Sequence, residues 1–265
     1  MDLVSFEREA RLIGRLSNHL LQHVVPLFAN GSNGKPQLIG SSVLVSSEDC
    51  CYLISAAHVF DEIKAGHELF FYITPKTIRK LSGSLRLTKL PPCDNRKYDH
   101  LDIGVLKLEG LALPPYPQVN KLPVPLSALM ANALPREEKQ YLLVGFPASK
   151  SRPNPIARDL VSEPYSFRNM SAPLSKYAEL KVESTNHLVL SFDVSQTVMP
   201  NSEVRKFPDP KGMSGSPVWL LHDQNGSNNV YQTPIVGIAV EHRKQQRAII
   251  ATDINIALQL INEAD

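Results

Sequence analysis

The amino-acid sequence predicts an all-β protein, a sandwich or barrel with one helix at each end, and three observations carry that prediction. Short apolar runs rich in Val, Ile, Leu and Phe recur along most of the 265 residues. They fall at Val24–Phe28, Leu38–Val45, Cys51–Ser55, then 68–73, 83–88, 102–108, 141–146, 187–194, 216–221, 234–240 and 247–252. Many short strands at such spacing mark an all-β fold. Turn chemistry separates them, most clearly in Asn30-Gly31-Ser32-Asn33-Gly34, where Asn and Gly accept the backbone angles of tight turns. Helical periodicity is confined to the two ends of the chain.

At the start, Phe6, Ala10, Ile13, Leu16, Leu20 and Val24 recur at spacings of three and four, as on one face of a helix. This extension, residues 1–23, is expected to dock on a β face, the alternative being a helix that binds a partner. Residues 110–140 are rich in proline and read as a bridge between two halves. Residues 147–185, with Pro147, Lys150, Arg152, Pro153, Pro155, Arg158, Pro164 and Arg168, read as an elaborated loop. A closing helix over 254–263 follows from Ile254, Ala257, Leu258 and Ile261 on one face.

Composition narrows the function. Hydrophobic residues make up 43% and charged residues 20%, the balance of a soluble domain with a substantial core. The net charge of +2 is too small to drive binding to nucleic acid or a membrane surface, so neither partner is expected. Cys50, Cys51 and Cys93 are an odd set with two neighbours adjacent, a poor framework for disulfides, and no CxxC pair points to zinc. The opening Met1-Asp2-Leu3-Val4-Ser5-Phe6-Glu7-Arg8-Glu9 is acidic where a secretion signal is basic, and no apolar run is long enough for a spanning helix. A reducing, cytoplasmic compartment is the expectation.

Three segments carry chemistry: Ile54-Ser55-Ala56-Ala57-His58, Asp102-Ile103-Gly104-Val105-Leu106-Lys107-Leu108, and Gly212-Met213-Ser214-Gly215-Ser216-Pro217. A serine between glycines has a physical purpose. The glycines allow a sharp turn in which backbone N–H groups converge where an oxyanion forms. His58 ends a strand-like run, and Asp102 heads another. Asp99 is the rival acid, but the apolar run after Asp102 favours Asp102. The order His58, Asp102, Ser214 excludes the α/β-hydrolase and subtilisin orders, and Ser216 breaks the Gly-x-Ser-x-Gly pattern. The other histidines, His19, His23, His67, His100, His187 and His222, show no metal-ligand spacing, and no metal or cofactor is expected.

In these three motifs the chain resembles the trypsin/chymotrypsin-like serine protease superfamily, in particular its bacterial-type intracellular trypsin-like peptidases. Chain order agrees. The separations here, 44 (58 to 102) and 112 residues (102 to 214), compare with about 45 and 93 in the chymotrypsin-type triad, the surplus falling where the 147–185 stretch lies. The resemblance runs from about Val24 onward and implies two antiparallel six-stranded β-barrels. The first would span about 24–115 and the second about 136–253, within a peptidase domain of 24–265. It implies a serine endopeptidase with Ser214 as nucleophile, His58 as base, Asp102 as orienting acid, and an oxyanion hole from the Gly212 and Ser214 amides. The partner expected is a protein or peptide substrate. A protein regulator acting through the first helix or the 147–185 stretch is expected as well, because an unrestrained cytosolic protease damages its own cell. The alternative is a binding or regulatory module on a protease scaffold.

Departures from the family are informative. Val59 and Pro210 stand where secreted relatives carry cysteines, in keeping with a disulfide-free version. Met213 replaces the acid that pairs with a freed N-terminus, so activation by N-terminal cleavage is not expected. Pro208 occupies the place of the trypsin pocket-floor acid, with Asp209 beside it. The run Val236–His242 is similar to the strand that pairs with substrate. It makes Val240, Glu241 and His242 substrate-binding candidates, with Glu241 favouring a basic side chain before the scissile bond.

Overall fold

A computed structural model describes residues 3–31, 34–48, 50–74, 77–109, 121–131, 136, 139–154, 159–193, 197–198, 204–221 and 233–263. Much of the expected bridge (110–120), Pro155, Arg158 and His222 lie outside the described residues.

The first sheet is built from β1 (Val24–Asn30), β2 (Pro36–Ser46), β3 (Cys51–Ala56), β4 (Leu69–Thr74), β5 (Thr77–Lys80), β6 (Gly83–Leu87) and β7 (Ile103–Leu108). Its order is β5-β4-β1-β2-β3-β7-β6, with the short β8 (Val124–Pro125) added in parallel to β2. The two outermost strands, β5 and β6, are separated in the chain only by Leu81 and Ser82. They act as one bent stave, so the sheet curls round on itself as six staves. The N–H of Leu81 donates to Leu69 O at 2.8 Å and that of Glu109 to Ser82 O at 3.1 Å across the bend. Closure of this kind removes open sheet edges.

The second sheet runs β12-β9-β16-β17-β18-β13, from β9 (Gln140–Gly145), β12 (Tyr165–Met170), β13 (His187–Ser191), β16 (Pro217–Leu221), β17 (Ile235–Arg243) and β18 (Ala248–Asp253). Its ends meet at a bridge between Ser171 and Leu190. The hairpin β10 (Ser151–Asn154) and β11 (Asp159–Ser162), and the pair β14 (Thr197–Val198) and β15 (Val204–Arg205), lie outside it. The architecture is the two-barrel arrangement of the chymotrypsin-like fold.

Alternation fills the second barrel. Tyr141, Leu143, Tyr165, Phe167, Leu188, Leu190, Val218 and Leu220 belong to its own core. The intervening Leu142, Val144, Val189 and Trp219 join the larger core that continues into the first barrel. One period-2 pattern thus serves two packing layers.

The helices tie the halves together crosswise. Helix α1 (Leu3–Leu21) precedes the first barrel but packs on β9 of the second, burying Leu16 and Leu20. The Lys121 ammonium donates to Leu21 O, at the carbonyl end of α1, at 2.8 Å, where a cation suits the helix dipole. Helix α4 (Ile254–Asn262) leaves the second barrel and packs on β7 of the first through Ile254, Ala257 and Ile261. Asp253 caps it by accepting the Asn255 N–H.

The stretch 147–185 is more ordered than its composition suggests. Besides β10 and β11 it holds β12 and helix α3 (Leu174–Leu180). Tyr165 and Phe167 alternate into the core while Ser166 and Arg168 do not. That four-residue alternation is easily hidden among prolines and basic residues. Helix α2 (Ala57–Lys64), which begins one residue before His58, has no side-chain cap, so the usual N-terminal signal is missing.

Candidate active site

His58 sits in the first turn of α2, directly after β3. Asp102 lies at the head of β7, which pairs with β3 so that Ala56 faces Ile103. The pairing brings the two side chains together from 44 residues apart. Nδ1 of His58 donates to Asp102 Oδ2 at 2.6 Å, and the His58 backbone N–H donates to Oδ1 at 2.9 Å. The Ala57 N–H donates to Asp102 O at 2.8 Å. The bond to the carboxylate fixes the tautomer with the proton on Nδ1 and leaves Nε2 as the free base. His58 keeps 41% of its side-chain surface and Asp102 only 12%, so the imidazole is open to a reactant and the carboxylate is shielded.

Burial pulls the His58 pKa down, but the Asp102 hydrogen bond and charge, with a further contribution from Asp61, outweigh it. The net value lies above that of an ordinary histidine. Burial likewise pushes the Asp102 carboxyl up, against the lowering effect of His58. Asp102 has a left-handed backbone, φ 46°, a conformation costly for a side chain other than Gly and characteristic of functional sites.

Asp99, the rival acid, has a different task. It accepts from Thr88 Oγ1 and Arg96 Nη1, and its other oxygen takes the Leu101 N–H at 3.0 Å. Arg96 also bonds Asp61 of α2, Nε to Oδ2 at 2.9 Å. The guanidinium therefore ties the helix carrying His58 to the loop carrying Asp102. No motif in the sequence announced Arg96, Asp61 or Thr88; only their shared proximity to the two motif residues in three dimensions does.

The Gly212–Ser216 turn is wedged between the barrels. The Ser41 N–H of β2 donates to Ser214 O at 2.8 Å, and Ser41 Oγ donates to Gly212 O at 3.0 Å. The Gly215 N–H donates to Ala239 O of β17 at 2.7 Å. Gly212 and Gly215 have φ of 93° and 88°, and a Cβ on Gly215 would stand 1.9 Å from Ser41 O. Both positions demand glycine. A Cβ on Gly40 would meet Val59 at 2.6 Å and Ser214 O at 3.1 Å, so the serine backbone lies across Gly40 from the residue after His58. Within the turn, Met213, Gly215 and Ser216 donate their N–H groups to Pro210 O, Ala239 O and Met213 O. The Gly212 and Ser214 amides have no acceptor among the described residues.

The substrate-binding candidates divide. Beyond Ala239, β17 pairs only with β18 among the described residues, and a bulge falls between Ala239 and Glu241. Val240–His242 thus present one strand edge beside the Ser214 turn. Val240 is buried. Glu241 is exposed and forked onto Arg243 at 2.9 and 3.0 Å. His242 and Asp209 line a cavity of about 750 Å³ together with Phe192, Lys206, Phe207, Pro210, Lys244 and Arg247, among others. Asp209 also closes a turn by accepting the Lys211 N–H.

Neither a protein-family model nor a curated protein sequence matches this chain. Among solved structures, the chain is similar to neuropsin, a serine protease expressed in the limbic system of mouse brain. The two share 15% sequence identity at a TM-score of 0.59, over 93% of this chain and 95% of that one. At such identity the likeness is one of fold, and it gives this chain the chymotrypsin-like double-barrel fold.

Proposed function

We propose that the protein is a serine endopeptidase, with residues 24–265 as its peptidase domain. The observation that carries this reading is the His58–Asp102 pair, bonded at both carboxylate oxygens, with a serine turn that lies across Gly40 from Val59 and whose Gly212 and Ser214 amides have no acceptor among the described residues. Ser214 Oγ attacks a peptide carbonyl while His58 Nε2 takes its proton; His58 then delivers that proton to the departing amine. The acyl-enzyme on Ser214 is released by water activated by the same imidazole. Asp102 holds the ring and balances the imidazolium. The Gly212 and Ser214 amides receive the oxyanion, and each such donor is worth about 10²–10³ in rate.

The free edge at Val240–His242 suits an extended substrate backbone. Glu241 is neutralised by Arg243 and stands apart from the cavity, so it gives no support for a basic side chain. The cavity itself has aromatic walls, Phe192 and Phe207, and its cations outnumber its carboxylates. Arg247 faces Asp193 at 3.7 Å, while Lys206 and Lys244 have no ion pair among the described residues. An acidic side chain before the scissile bond is the complement. Cys50, Cys51 and Cys93 are free thiols, which suits a reducing, cytoplasmic compartment.

The reading is tested by incubating a peptide library with the wild type and with Ser214→Ala and identifying the products by mass spectrometry. New termini generated by the wild type alone support it; identical products from both proteins would overturn it.

A further inference from the structure

The loop that delivers Asp102 is gripped by the opposite barrel. His187 and Thr252 are register partners on β13 and β18, 3% and 0% exposed. Thr252 Oγ1 donates to Leu101 O at 2.6 Å, and His187 Nε2 donates to His100 O at 2.8 Å. Two consecutive carbonyls leading into Asp102 are thereby fixed by second-barrel side chains. The site these residues serve belongs to the first barrel.

The consequence follows from backbone geometry. The peptide plane before Asp102 ends in Leu101 O, held by Thr252; the plane after it ends in Asp102 O, held by the Ala57 N–H. With both planes fixed, the torsions between them are fixed as well, and φ is held at its unfavourable 46°. Release of the first plane lets the residue relax toward negative φ, which turns the carboxylate away from His58. Arg96 and Asp99 secure the same loop from the first-barrel side but do not touch these carbonyls.

We propose that Thr252 and His187 are positioning residues for the proposed hydrolase: through the carbonyls of Leu101 and His100 they hold Asp102 on His58, so that the acid–base pair is assembled only when the two barrels are packed. The inference rests on the serine-endopeptidase reading for its kinetic consequence, but the latch itself is a matter of His58–Asp102 geometry.

The test compares Thr252→Val, which removes the hydroxyl at nearly constant shape, with Thr252→Ser, which keeps it. Two readouts are taken on the full chain: the pH profile of inactivation by a fluorophosphonate, and the downfield proton NMR resonance of the His58 Nδ1–H. The latch predicts that Thr252→Val loses the downfield resonance and reacts about 10- to 100-fold more slowly. Its acid-side inflection moves to lower pH, because His58 no longer feels the carboxylate. Thr252→Ser keeps all three within two-fold of wild type. A folded Thr252→Val with resonance, rate and inflection unchanged would overturn the proposal. If Thr252→Val does not fold, His187→Leu, which removes the donor to His100 O, is read in the same way, with the same two outcomes. A wild type that shows the resonance but is never labelled refutes the hydrolase reading, and the resonance in the variants still decides the latch.

Discussion

His58 holds Asp102 twice, through its ring Nδ1 at 2.6 Å and through its own backbone N–H at 2.9 Å. A single residue thus satisfies both oxygens of the acid, and the first turn of α2 orients the carboxylate as much as the carboxylate orients the ring. Such reciprocity fixes tautomer and direction together, the property required of a general base.

Asp102→Asn tests this pair. The amide removes the charge and the strongest bond that hold the His58 pKa up. Peptidase kcat is expected to fall about 10⁴-fold. The sign of the pH effect is fixed: the base works only when deprotonated, and its raised pKa places the acid limb above the ordinary histidine value in wild type. In Asp102→Asn the limb moves to lower pH. A limb that stays in place, measured as log(kcat/KM) against pH, would separate the titration from His58.

Gly215→Ala tests the wedge between the barrels. The new methyl must avoid Ser41 O and Ser55 Oγ, 1.9 and 2.1 Å away, at φ 88°. A loss of several kcal/mol in urea unfolding is expected, at least about 1–3 from the backbone strain alone, together with loss of activity. A variant with wild-type stability would show that the turn has room to move.

Leu20→Ala tests the docking of α1. Leu20 is 3% exposed in the core shared with the second barrel, so truncation is expected to destabilise by about 2–5 kcal/mol. The measurement is the urea midpoint. An unchanged midpoint would show that α1 contributes nothing to the fold.

The cavity chemistry makes a prediction about selectivity. Peptides cleaved by the wild type are expected to be enriched in Glu or Asp before the cut bond, and Lys206→Glu is expected to reduce that enrichment about ten-fold, roughly one ion pair at partial burial. Enrichment of Lys or Arg instead would restore the role first expected of Glu241.

The parts of this molecule legible in sequence were those with a strict local pattern. The strands were readable because alternation is local, and Ser214 and His58 stand out as candidates because glycine geometry and chain order single them out. The pairing of Glu241 with Arg243 was not legible, since it depends on one side-chain rotamer two residues away. Arg96, Thr252 and His187 were illegible for another reason: each acts on a backbone carbonyl or a distant carboxylate, and a hydrogen bond to a carbonyl leaves no trace in the acceptor's residue type. The β12–α3 region was hidden by its prolines, although Tyr165 and Phe167 carry the strand period.

The most direct test of the central claim is covalent. A fluorophosphonate should add one phosphonyl group to the wild-type chain, mapped by peptide mass spectrometry to Ser214, with labelling that rises as His58 loses its proton and is abolished in Ser214→Ala. Labelling at another residue, or equal labelling of wild type and Ser214→Ala, would contradict the account.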